Sequence, residues 1–239
     1  MHLGNKLCDK QAFKRFLAED KDCYFIGVGD LLDSIITTDK RYAKSMDDTD
    51  SEAIVDEQID EAYNILEPYA TRIIGLGEGN HCQTIVSHCS TNPIKRLCEK
   101  LNCIYLGYTW MCSLSLSENG GRGRTVVVYG NHGWGGGCRT EGGDLTKYSK
   151  IMNYYEADLY LFGHTHGLMA KRSPRLSIVG NKLVAKDRYL CVTGTFLKTV
   201  SADSTPSWSE TKGFAPARIG GITIDIKPTN AWCDIKVAA

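Results

Sequence analysis

The chain has 239 residues, enough for one large α/β unit around an extended core, and its 28 basic and 28 acidic side chains cancel, which excludes an overall positive field drawing it to nucleic acid or to an anionic membrane. Ten cysteines without a Cys-x-x-Cys pair exclude a structural zinc module of ordinary spacing, and apolar runs such as Tyr24 to Val28 fall far short of the roughly 20 residues that cross a bilayer. No charged start leads into an apolar signal core, so the expected setting is a reducing cytoplasm with the cysteines as free thiols and no membrane partner.

Residues 9–20 place Ala12, Phe13, Phe16 and Leu17 on one face at helical spacing, which predicts an amphipathic helix. Cys23 to Val28 is a short apolar run suited to a strand buried on both faces, and it ends at Gly29-Asp30. The charge-rich stretch 37–50 reads as an exposed loop, and helical periodicity resumes over 51–69 through Ile54, Ile59, Ala62, Ile65 and Leu66. A strand over 71–76 ends at Gly77-Glu78-Gly79-Asn80-His81, a helix over 93–101 leads to a strand over 103–106, and 109–116 reads as a strand entering a Gly-rich turn. The strongest strand signal, Thr125 to Tyr129, runs directly into Gly130-Asn131-His132. Residues 144–155 read as helix and 158–162 as a strand followed by Gly163-His164-Thr165-His166-Gly167; the remainder alternates β-favouring runs, 190–192 and 221–226, with turns.

Alternating helices and strands followed mostly by strands predict an α/β fold of two packed mixed sheets flanked by helices, a four-layer α/β/β/α sandwich in one domain over 1–239. Active residues in such folds gather beyond the carboxyl ends of strands, and four predicted strands here end in Asp, Asn or His. Five of the six histidines, His2, His81, His132, His164 and His166, lie in Gly-flanked or Asn-flanked turns after a predicted strand or at the chain start. A metal pair that activates water near neutral pH needs imidazole nitrogens, carboxylate or amide oxygens, and one carboxylate able to bridge; Asp30, Asn80 and these histidines supply that set.

His2-Leu-Gly, Gly29-Asp30-Leu-Leu-Asp33, Gly79-Asn80-His81, His132 after a Val-rich strand, and Gly163-His164-Thr-His166 occur in this order, and the order resembles the signature of the calcineurin-like metallophosphoesterases over residues 2–167. The resemblance implies two divalent ions, manganese first among manganese, iron, zinc and nickel, and hydrolysis of a phosphate ester by a hydroxide held between them. It implies His2 and His166 on one ion, Asn80, His132 and His164 on the other, Asp30 bridging, and His81 steadying phosphoryl oxygens or protonating the leaving group. Asp33 is expected to orient a ligand or cap a helix rather than to touch metal.

The family's first motif is Asp-x-His, whereas here Met1 precedes His2 and the Asp is missing, with the strand that would carry it. The expectation is that Met1 is an internal methionine of a longer protein. Ser34-Ile35 and Cys82 stand where the protein Ser/Thr phosphatase branch carries Arg-Gly and Glu, and without that arginine a phosphodiester or nuclease-like substrate is favoured over a monoester dianion. The alternatives are a protein phosphatase and a non-catalytic interaction module on the same fold. Trp134 and Arg139 in the loop after His132 either touch substrate or form an exposed tip. Lys171, Arg172 and Arg175 either hold phosphate or a nucleic-acid backbone, or form a solvated turn. His88 lies outside every motif and reads as an ordinary histidine.

Overall fold

The computed structural model describes residues 1–36, 54–117, 123–138, 140–202, 205–229 and 232–239. The predicted loop at 37–50, the start of the predicted helix at 51 and Arg139 lie outside the described residues. In chain order the elements are α1 (Lys10–Ala18), β1 (Phe25–Val28), α2 (Ile54–Leu66), β2 (Ile73–Gly77), α3 (Asn80–Cys89), α4 (Pro93–Leu101), β3 (Ile104–Gly107), β4 (Thr109–Leu116), β5 (Arg124–Asn131), α5 (Gly143–Ser149), β6 (Leu159–Phe162), β7 (Leu168–Val179), β8 (Lys182–Thr195), α6 (Trp208–Thr211), β9 (Gly220–Gly221), β10 (Thr223–Pro228) and β11 (Cys233–Ala238).

Among the described residues one sheet is parallel, in the order β1-β2-β3; a second is mixed, in the order β4-β5-β6-β8-β7, with β9 paired to the end of β8; and β10 and β11 pair antiparallel as a separate two-stranded sheet. Period-2 alternation in the central strands of the mixed sheet sorts their side chains into two cores. Val126, Val128, Leu159, Leu161, Tyr189 and Cys191 point to the space between the sheets, where Ile26, Val28 and Leu106 of the parallel sheet meet them. Tyr129, Tyr160, Phe162, Leu190 and Val192 point outward and are covered by Tyr148 and Leu145 of α5. The third core lies between the parallel sheet and α1, α2 and α4, around Leu17, Ile59, Leu76 and Leu97. These three apolar layers separate four layers of secondary structure, the α/β/β/α arrangement expected from the sequence.

Two segments depart from the sequence reading. Residues 80–89 form a helix, α3, where no helix is predicted; its run Thr84-Ile85-Val86 favours strand, and burial of Cys82 and Ile85 overrides that preference. Residues 168–195 form one long hairpin, β7–β8, of 12 and 14 residues, rather than short runs between turns. Its outer part exposes Leu176, Ile178 and Leu183 to solvent while Arg175 and Ser177 at alternate positions are half-buried, so the alternation persists but with its apolar side outward, opposite to the pattern by which a strand is read. Lys171, Arg172 and Arg175 are therefore strand residues and not a turn: Arg172 pairs with Asp187, and Arg175 Nη1 lies 2.9 Å from Glu156 Oε1. No described helix is long and apolar enough to cross a membrane.

Candidate metal centre

The parallel strands β1 and β2 deliver Asp30 and Asn80 from one sheet, and the parallel strands β5 and β6 deliver His132 and His164 from the other. Because the sheets pack face to face, their carboxyl ends open onto one cleft of about 250 Å³, lined by His2, Asp30, Asn80, His81, His164 and His166. His132 lies beneath it, 1% exposed. A larger recess of about 530 Å³, beside α1 and β9, carries none of these residues.

The backbone at the site is held in uncommon conformations. Asp30, His2, His164 and His166 have φ of 46°, 60°, 69° and 63°, the left-handed region that non-glycine residues seldom occupy. Such strain persists where surrounding structure enforces it, and here it collects on four candidate donors. Close packing extends to the backbone around them. A Cβ on Gly29 would lie 2.3 Å from His132 Nδ1, and one on Gly79 would lie 2.1 Å from Asp30 Oδ1. Gly79→Ala is therefore expected to displace the Asp30 carboxylate and weaken metal binding by at least about 10-fold, the scale seen when groups supporting a ligand are disturbed, and a metal titration reads it.

Backbone carbonyls set the histidine tautomers. A carbonyl can only accept, so His132 Nδ1–H donates to Val28 O at 3.0 Å, His164 Nε2–H to Gly135 O at 2.7 Å, and His81 Nδ1–H to Asp33 O at 2.6 Å. His2 Nδ1–H donates to the Asp33 carboxylate at 3.2 Å, and Asn5 Nδ2 donates to its other oxygen at 3.2 Å. The opposite ring nitrogens then carry lone pairs. His132 Nε2 faces Asp30 Oδ2 at 3.0 Å and Asn80 Oδ1 at 3.0 Å, while His164 Nδ1 faces the same Asn80 oxygen at 2.9 Å. On the other side of Asp30, His2 Nε2 lies 3.1 Å from His166 Nε2 and 4.0 Å from Asp30 Oδ2.

With these tautomers, His132 Nε2, His164 Nδ1, Asp30 Oδ2 and Asn80 Oδ1 turn electron pairs toward one another, an arrangement that a cation between them satisfies. Adjacent donors around an ion with bonds of about 2.1 Å stand about 3 Å apart, which is the spacing found here. The residues present thus fit divalent metal, and Asp30 Oδ2 sits between the two groups of donors. Its other oxygen, Oδ1, accepts the His81 backbone N–H at 3.2 Å, in the first turn of α3, where the helix end favours a carboxylate. Two clusters of possible ligands, His2 with Asp33 and His81, and Asp30 with His132 and His164, each bring their ligand atoms within 4.8 Å of one another.

Electrostatics keep the set ready for metal, which requires neutral imidazole and ionised carboxylate. Burial lowers the pKa of His2 well below the usual range, with the chain's ammonium and His81 adding to it; burial also lowers His164, and lowers His166 to about 3. Burial alone would raise Asp30, but the His132, His81 and His2 rings beside it, once protonated, hold the carboxyl well below its ordinary value. In metal-free protein the depressed histidines make stability pH-dependent. An unfolded chain protonates them near 6.5 while the folded protein does not, so the unfolded state binds more protons below that pH. Stability is expected to fall as pH drops from about 6.5 toward the folded values, by about 1 kcal/mol per pH unit for each of the two enclosed rings, His2 and His166, and by less for the more exposed His164. Urea midpoints at pH 7.5 and 5.5 after chelation measure this; equal midpoints would contradict it.

Among the sequence candidates, the structure brings His2, Asp30, Asn80, His81, His132, His164 and His166 together and sets Asp33 behind His2 and His81. Trp134 does not reach the cleft: it packs edge-on against Tyr148 at 4.9 Å and Phe162 at 5.9 Å. His88 is exposed on α3. Sequence reading missed Asn5, Tyr108, whose ring meets His132 at 5.5 Å, and Trp208 and Phe214 on the cleft wall. Only Trp208 had a local signal, the Ser207-x-x-Glu210 capping box that fixes α6.

A family model described as calcineurin-like phosphoesterase matches residues 9–168, which hold every candidate donor but His2. The chain belongs to that family. This phosphoesterase fold comes with divalent-metal binding as a family property, and the donor clusters are where the chain could hold it. Among curated proteins no match is found. Similar solved structures include vacuolar protein sorting 29 from Cryptosporidium parvum, 16% identical with a TM-score of 0.35 over 98% of this chain and 90% of that one. Another is Vps29 complexed with zinc from Entamoeba histolytica, 11% identical with a TM-score of 0.29 over 74% of this chain and 88% of that one. At these TM-scores neither likeness adds to the assignment.

Proposed function

We propose that the chain is a metal-dependent hydrolase of phosphate esters, with phosphodiesters preferred. The observation that carries this reading is the set of tautomers that turns His132 Nε2, His164 Nδ1, Asp30 Oδ2 and Asn80 Oδ1 toward one another at 2.9–3.0 Å. In it, Asn80, His132 and His164 would hold one ion and His2 and His166 the other, with Asp30 shared between them. A divalent pair supplies activated water near neutral pH and neutralises charge that develops on the phosphoryl group. Manganese is the first choice for assay, and iron, zinc and nickel suit the same donors.

The protein's own groups do the rest. Asp33 and the Val28, Gly135 and Asp33 carbonyls lock the imidazoles, so ligand geometry is set before substrate arrives. His81 lines the cleft with its Nδ1 proton committed to Asp33 O, which makes Nε2 the ring position that receives or delivers a proton at the phosphoryl or leaving oxygen. Substrate charge favours a diester. No arginine lines the cleft among the described residues, and the positions of the phosphatase-type Arg-Gly and Glu are taken by buried Ser34 and Ile35 and by buried Cys82, whose thiol burial pushes up to about 12. A monoester dianion therefore lacks the bidentate grip that an arginine supplies.

The test is hydrolysis of bis-p-nitrophenyl phosphate against p-nitrophenyl phosphate by chelated protein reloaded with manganese. Faster diester turnover that needs the metal is expected. Turnover of phosphopeptides but not of diesters would favour a protein phosphatase, and a loaded protein inert toward every ester would favour an interaction module.

A further inference from the structure

The cleft has a second wall, and it is aromatic. After β8 the chain folds back on itself through a web of short contacts: Ser207 Oγ accepts from Glu210 N–H at 3.0 Å, and Glu210 Oε2 accepts from the N–H groups of Ser207 at 2.7 Å and Ser201 at 3.0 Å. Thr199 Oγ1 accepts the Ala217 N–H at 2.8 Å and closes the turn. This framework fixes Trp208 and Phe214 beside each other with ring centroids 5.4 Å apart, and both line the same cleft as the metal donors. Phe214 rests over Gly137, where a Cβ would touch its ring at 3.4 Å.

These rings remain 46% and 39% exposed although a hydrogen-bonded scaffold holds them in place. The cation on this wall, Lys198, is turned toward Asp9, with Nζ 3.4 Å from Oδ2, so the wall offers π-faces rather than a grip for a phosphate backbone. At about 250 Å³ the cleft is smaller than the roughly 300–1,000 Å³ of most small-molecule sites, which suits one flat group joined to a phosphate rather than a polymer.

We propose that Trp208 and Phe214 form a stacking site for a nucleobase, so that the ester cleaved at the metal centre is a nucleoside phosphodiester. This inference rests on the phosphodiesterase reading above and narrows it. Base stacking on an aromatic side chain corresponds to a selectivity of roughly 5- to 150-fold.

The experiment compares kcat/KM for the p-nitrophenyl ester of thymidine 5′-monophosphate with that for methyl p-nitrophenyl phosphate, which release the same p-nitrophenolate. The wild-type protein is expected to favour the thymidine ester about 10-fold or more. In Trp208→Ala/Phe214→Ala the ratio should collapse toward one, and Trp208→Phe should recover most of it, which separates stacking from a folding defect. A wild-type ratio near one, or a ratio unmoved by the double substitution, overturns the inference while leaving the phosphodiesterase reading intact. An equal preference for phenyl p-nitrophenyl phosphate overturns the nucleoside assignment, because any flat ring would then serve. Should neither ester turn over, the phosphodiesterase reading fails, and tryptophan fluorescence with thymidine 5′-monophosphate decides the stacking site: a saturable quench lost in Trp208→Ala supports it, and no quench overturns it.

Discussion

Asp30→Asn is expected to remove both bound metal and turnover, with kcat/KM down by at least about 10³-fold, because one carboxylate serves both halves of the centre. Asp30 is 4% exposed, and its Oδ2 lies 3.0 Å from His132 Nε2 and 4.0 Å from His2 Nε2. The amide has nearly the same shape and can still accept the His81 N–H through its oxygen, so the fold should survive. What it loses is the negative charge that compensates two cations. Its NH₂ group would also donate into the ring nitrogens, satisfying without metal the lone pairs that otherwise call for it. Metal analysis after dialysis and steady-state kinetics measure the two losses together. Wild-type metal content with intact turnover would remove Asp30 from the bridging position.

His81→Ala is expected to separate those two readouts. Its imidazole lines the cleft beside Asn80 but is turned by its bond to Asp33 O, and it packs edge-on against His2 with centroids 4.6 Å apart. Metal content should stay near the wild-type level while kcat falls about 10²- to 10³-fold, the range for losing a positioned proton donor. The loss should be smaller for esters with good leaving groups, such as p-nitrophenolate, than for alkyl esters, since a poor leaving group needs the proton more. Equal losses on both would assign His81 to holding phosphoryl oxygens instead.

Much of the centre was legible because its residues follow strands directly. Val28-Gly29-Asp30, Asn131-His132 and Phe162-Gly163-His164 each join a strand to a donor with at most one intervening residue, so a strand signal also places the side chain, although β1 is a half-buried edge strand rather than one buried on both faces. The layering was legible for a similar reason: alternating residues of β5, β6 and β8 are all apolar, which marks strands covered on both faces. Helix α3 was not, because its β-branched middle favours strand and its N-terminus is secured by a side chain 51 residues away, the His81 N–H to Asp30 Oδ1 bond. The role of Trp134 was undecidable locally, since only the packing of α5 beneath it turns the indole away from the cleft. The aromatic wall was equally hidden: the capping box at Ser207 places a helix start but not what that turn faces.

The central claim is that two ions share this centre through Asp30. Isothermal titration of chelated protein with manganese tests it most directly. Two binding steps are predicted, the tighter at the position with four donors, Asp30, Asn80, His132 and His164, and the weaker at His2, His166 and Asp30. His132→Ala should abolish the tighter step. Absence of binding, or a single step unaffected by His132→Ala, would contradict the account.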